Sequence, residues 1–145
     1  MTATIKKTEQ GFTLLEIMVV VTILGLLAAF IVPNVIGQGE KAKADLAKAN
    51  MASIANALDM YKLDNNRYPS TDQGLQALVE KPAEARNWNP AGYLSGSRVP
   101  EDPWGNEYIY LSPGIDGPYD LLSYGADGAE GGEGFDADIS YRDIR

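Results

Sequence analysis

An apolar run over residues 12–36 constrains this chain more than any other feature, because its single ionisable residue, Glu16, lies close to its start. The next charge is Glu40, so the 23 residues 17–39 carry none. As a helix rising about 1.5 Å per residue, that length crosses a hydrocarbon core roughly 30 Å thick. A carboxylate inside such a segment costs about 2.5–3.5 kcal/mol on insertion scales and calls for a partner. Lys6 and Lys7 belong to a short polar leader that ends at Gly11, directly before Phe12. Cleavage after Gly11 would leave a new amino group on Phe12 and make Glu16 the fifth residue of the shortened chain.

Three accounts of residues 1–36 compete. A secretory signal has an apolar region of about 7–15 residues before a small-residue cleavage site, and this run is too long. A plain signal anchor, with Lys6 and Lys7 holding the N-terminus in the cytoplasm, gives Glu16 no purpose. Cleavage at Gly11 explains more of the residues, since amine and carboxylate then stand one helical turn apart. Within one helix the acid favours the N-terminal end of the dipole. Between chains staggered along an axis, the amine of one copy meets the carboxylate of another, and a costly buried charge becomes a registration device. A proton or ion relay would need a second titratable group, and residues 17–39 contain none. Pro33 with Gly37 and Gly39 signals either a kink or local unwinding, or simply the end of the span.

At 145 residues the chain has room for this segment and one small domain. A formal net charge of −8 argues against a nucleic-acid partner, because phosphate contacts need clustered Lys and Arg. No Cys means no disulfide and no thiol chemistry, and no His removes the commonest general base and metal ligand. With no phosphate-cradling glycine motif either, the expectation is a structural protein and not an enzyme.

Beyond Glu40 the pattern becomes amphipathic to about Asp64. Leu46, Asn50, Ile54, Leu58 and Tyr61 recur at helical spacing, with Ala47, Met51 and Ala55 widening the stripe. The membrane helix is thus expected to continue as a stalk packed on a soluble domain. Ser70 and Thr71 offer a cap for a second helix over residues 72–80. Asp102-Pro103-Trp104-Gly105-Asn106 reads as a turn with an aromatic anchor. Residues 107–111, 119–124 and 138–141 read as strands, with residues 113–118 as a hairpin loop. The fold class is α+β: a long N-terminal helix against a small antiparallel sheet.

Residues 125–138 hold five acids and five glycines. Like charges repel and glycine raises the entropy lost on ordering, so without a counter-ion the stretch should be floppy. Carboxylates and carbonyls suit Ca2+, which takes about six to eight oxygen ligands. The EF-hand pattern fails at Ala129 and Gly131. Composition alone leaves a solvated acidic loop and a calcium site equally open.

The string Gly11-Phe12-Thr13-Leu14-Leu15-Glu16 resembles the processing site of the type IV pilin and pseudopilin superfamily. With residues 58–70 (LDMYKLDNNRYPS), 73–78 (QGLQAL), 102–106 (DPWGN) and 123–128 (SYGADG), the whole chain resembles the major pseudopilins of the type II secretion system. The resemblance implies a leader, residues 1–11, removed by a prepilin peptidase that also methylates Phe12. It implies a transmembrane assembly helix over 12–36 and a periplasmic domain over 37–145 that includes the outer half of the long helix. Many copies would form a homo-oligomeric filament anchored in the inner membrane, with minor pseudopilins and the inner-membrane secretion platform as further partners, to export folded proteins. A type IV pilin-like fibre subunit is the alternative, although such pilins usually close their C-terminal region with a disulfide. The resemblance further implies a structural calcium on the side chains of Asp127, Asp136 and Asp138, with carbonyls at Tyr124 and Ala129 contributing. Glu133 stays outside the set.

Overall fold

A computed structural model describes residues 11–144, the side chains of residues 32–36 excepted. Residues 1–10 of the leader expected over 1–11 lie outside the described residues. One helix, α1 (Leu14–Asn65), is helical through Pro33 and both glycines. The chain divides into two compact units, one ending at Gln38 and the other running from Gly39 to Arg145.

In the first unit, residues 14–31 are long and apolar enough to cross a membrane, with a mean hydropathy of 2.7 and no residue buried. Phe12, Leu14 and Phe30 are each about four-fifths exposed, so this surface must be covered by lipid or by other chains. Thr22 bends its hydroxyl back onto the Met18 carbonyl at 2.8 Å, which satisfies a polar group without leaving the helix.

In the second unit the amphipathic half of α1 buries Ala47, Met51, Ile54, Ala55, Leu58 and Tyr61. Leu46, expected on that stripe, is 53% exposed. Bulk at this level comes from a distant segment instead: Tyr108 is buried against the helix and its hydroxyl donates to the Ala47 carbonyl (3.4 Å), so an alanine fills the space there. Asn66 closes α1 in the left-handed region (φ 59°), an asparagine-tolerated C-terminal cap, with its N–H on the Lys62 carbonyl.

The expected second helix is shorter and tighter than residues 72–80: a 3-10 turn at Leu75–Leu78. Gly74, at φ 57°, stops the preceding turn from winding into an α-helix. The predicted cap is present one turn earlier, as a reciprocal pair in which Gln73 N–H donates to Ser70 Oγ and Ser70 N–H to Gln73 Oε1. Leu75, Ala77 and Leu78 close the core from this side.

The sheet has three antiparallel strands in the order β1 (Ile109–Leu111), β2 (Asp120–Ser123), β3 (Ile139–Ser140). Tyr110 pairs with Leu121 and both point into the core, where alternation along the strands places them. The 113–118 hairpin loop is pinned by Arg142, whose guanidinium reaches Asp116 (2.8 Å) and Asp120 (2.7 Å). The strands fall one or two residues short of the expected bounds, as edges without partners do.

The core is rich in tyrosine, and this has a measurable consequence. The buried Tyr110 hydroxyl donates to the Pro69 carbonyl at 2.8 Å, and burial pushes its pKa from 10.0 to about 12. Burial likewise raises Tyr61, Tyr93 and Tyr108. The folded state therefore holds the Tyr110 proton to higher pH than the unfolded chain does. Its stabilising contribution, about 2–3 kcal/mol, is whole below pH 10 and fades as pH rises towards 12. In an alkaline absorbance titration, only part of the eight tyrosines should ionise in the ordinary range, the rest following with loss of the fold. Ionisation of all eight near pH 10 with the fold intact would contradict this packing.

Candidate assembly and cation sites

The N-terminus of α1 leaves its first N–H groups without helical partners. Thr13 and Glu16 satisfy two of them reciprocally: Glu16 N–H donates to Thr13 Oγ1 (3.1 Å), and Thr13 N–H reaches Glu16 Oε2 (3.5 Å). This is a capping box, and it sets the carboxylate against the positive end of the helix dipole. Gly11, Phe12 and Glu16 are all exposed. Thr13 is a site residue that the sequence-based expectation omits, although Thr-x-x-Glu before an apolar run is a recognisable cap signature. The carboxylate is thus held in place within one chain while remaining open to a second.

The acidic stretch leaves β2 and returns to β3 as a closed loop. Ala126 N–H donates to the Phe135 carbonyl at 3.0 Å, joining the two limbs. Gly125 (φ 66°) faces a cradle of carbonyls: a side chain there would meet Ala137 O at 2.8 Å and Phe135 O at 2.9 Å. A Cβ on Gly132 (φ 85°) would collide with the Asp136 carbonyl. These two glycines let carbonyl oxygens crowd into the loop. Asp127 Oδ1 accepts the Ala129 N–H (3.1 Å), and both oxygens of Asp138 accept the Gly131 N–H (3.1 and 3.0 Å). Asp136 lies exposed in a 3-10 turn, Gly134–Asp136, while Tyr124 is half-buried beside the first limb and Ala129 is exposed.

The expected ligands thus share one loop, but their carboxylates do not meet. Among the described residues no three acidic side chains stand together as metal ligands. The donor chemistry nonetheless fits a hard cation: every candidate is an oxygen, and carbonyls of residues 135 and 137 add to the set expected from sequence. Asp127 and Asp138 each accept a backbone N–H from within the loop.

A buried strut supports the loop. Asp102 is 4% exposed; its Oδ1 accepts the N–H of Trp104 (3.0 Å) and of Asn106 (2.9 Å), and its Oδ2 accepts the Ser123 hydroxyl (2.7 Å). Ser123 Oγ in turn accepts the Gly125 N–H at 3.4 Å. Trp104 donates its indole N–H to Glu40 Oε2 at 2.7 Å, and Lys43 reaches Glu40 Oε1 at 3.0 Å. The indole bond first, and then the ammonium, hold the Glu40 pKa below its ordinary value.

Comparison with known proteins decides the family. The model of the family "Type II secretion system (T2SS), protein G" matches residues 34–142, and that of the prokaryotic N-terminal methylation motif matches residues 6–32. The chain belongs to the type II secretion system protein G family. A core protein G of Pseudomonas aeruginosa is 58% identical over 137 residues, covering 92% of this chain and 95% of that one. Its counterpart from Vibrio cholerae is 57% identical over 139 residues, covering 94% of each. In the same family, the crystal structure of the major pseudopilin from enterohaemorrhagic Escherichia coli superposes with a TM-score of 0.63 at 43% identity, over 76% of this chain and 95% of that one. These matches favour the pseudopilin over a type IV pilin-like fibre subunit, and the superposed crystal structure shares the fold described above.

Proposed function

We propose that this protein G family member is the major pseudopilin of its secretion system, cleaved after Gly11 by a prepilin peptidase and methylated on Phe12. Anchored in the inner membrane with its second unit in the periplasm, it polymerises into a pseudopilus that drives export of folded proteins. Minor pseudopilins and the inner-membrane platform are its assembly partners, and its role is structural, without catalysis. The observation that carries this function is an apolar helix with every side chain of residues 14–31 uncovered and one carboxylate held at its start. Such a helix needs neighbours, and between staggered copies the amine on Phe12 of one chain meets the Glu16 carboxylate of another. Deleting the gene should stop export of the host's secreted enzymes, and crosslinking of the restored wild type should recover periplasmic multimers. Undiminished export in the deletion strain would overturn it.

We infer also that the 125–138 loop holds Ca2+ through Asp127, Asp136 and Asp138, with carbonyls at Tyr124 and Ala129. The ion would neutralise the loop's clustered charge and bind only its ordered form, so binding adds directly to stability. At about a hundredfold excess over Kd the gain is about 2.7 kcal/mol, and a chelator should then lower the melting temperature of the full chain in detergent by roughly 10 °C or more. Asp127→Ala should melt at the chelated temperature even with calcium present. Equal melting with and without chelator would exclude the ion.

A further inference from the structure

We infer that Ser123 and Asp102 are positioning residues for the loop's cation, and that they tie occupancy of the loop to the Trp104–Glu40 clasp on α1. This rests on the calcium assignment above. Four hydrogen bonds carry the link: Gly125 N–H on Ser123 Oγ, the Ser123 hydroxyl on Asp102 Oδ2 (2.7 Å), and the Trp104 and Asn106 N–H groups on Asp102 Oδ1. Ser123 is fully buried and Asp102 nearly so, which leaves no water to take over either bond.

Gly125 is the residue on which the loop's carbonyls of positions 135 and 137 converge, so the strut ends at the point where a cation would draw those oxygens together. A second contact runs in parallel, since the Asn106 side chain lies against Gly128, 3.0–3.2 Å from where a Cβ would stand. At the other end the turn places the Trp104 indole N–H on Glu40, 2.7 Å away. A cation that orders the loop therefore fixes the turn, and the turn fixes the indole on the helix. Coupling of this kind is reciprocal: whatever calcium adds to the clasp, the clasp adds to calcium affinity.

The test uses the full chain in detergent micelles with Trp88→Phe, which leaves Trp104 as the remaining tryptophan. Calcium chloride is titrated by calorimetry while Trp104 emission is followed. The parent should bind calcium with a shift in Trp104 emission. Glu40→Ala, which touches no loop residue, and Ser123→Ala should each weaken calcium binding by about 5-fold or more. Glu40→Gln, which keeps an acceptor for the indole, should restore it. Should Ser123→Ala fail to fold, Glu40→Ala alone decides. Parent-like affinity in Glu40→Ala, or Trp104 emission indifferent to calcium in the parent, overturns the coupling and leaves the calcium assignment standing. A folded parent that takes up no calcium overturns both.

Discussion

Glu16→Leu is expected to stay in the membrane yet yield no crosslinked multimers and no export. The substitution removes the residue that opposes insertion, so anchoring is not weakened. The helix start survives as well, because Thr13 Oγ1 still accepts the N–H of residue 16, and only the weaker 3.5 Å return bond is lost. What disappears, in the proposed assembly, is the anion that would face the next copy's Phe12 amine. Breaking one side of a buried pair costs about 3–5 kcal/mol, which at each contact lowers association by two orders of magnitude or more. Membrane fractionation, crosslinking and an export assay on one strain read the three properties separately. Wild-type multimers from the leucine variant would show that Glu16 serves the single chain alone, through its capping box.

The second large effect belongs to Asp102→Ala. One buried carboxylate satisfies three donors, and its loss strands the N–H groups of Trp104 and Asn106 and the Ser123 hydroxyl. A stranded buried donor costs about 1–3 kcal/mol, and local relaxation recovers part of that, so about 3–5 kcal/mol in all is expected. Against a typical stability of about 5–15 kcal/mol this is severe. At about 4–8 °C per kcal/mol in a domain near this size, the melting temperature should fall by roughly 15 °C or more. A drop of only a degree or two would mean that water reaches the turn.

Much of this was legible in the residues. The α+β order, the stalk and the three strands follow from periodicity, and the residues that bear the assembly expectation follow from one misplaced charge. The losses have physical causes. Leu46 shares the spacing of the buried stripe but faces outward, because Tyr108, distant in sequence and just before β1, supplies the volume opposite Ala47, and no local pattern encodes that. The helix expected over residues 72–80 is cut short by Gly74, whose left-handed backbone is a tertiary choice. The acidic loop is where composition carries least, since five acids and five glycines do not say which oxygens converge. The supporting strut was invisible too. Asp102 reads as an ordinary turn aspartate, and only the fold reveals that Ser123 lies beneath it. Thr13, by contrast, had its signal in plain view as the partner of Glu16.

The intact mass of the protein recovered from membranes tests the assembly mechanism most directly, because the Glu16 partnership requires an amino group on Phe12. The expected mass is that of residues 12–145 with one added methyl group. A chain that retains residues 1–11 in its functional, membrane-embedded form would contradict it, for Glu16 would then have no neighbouring amine to meet.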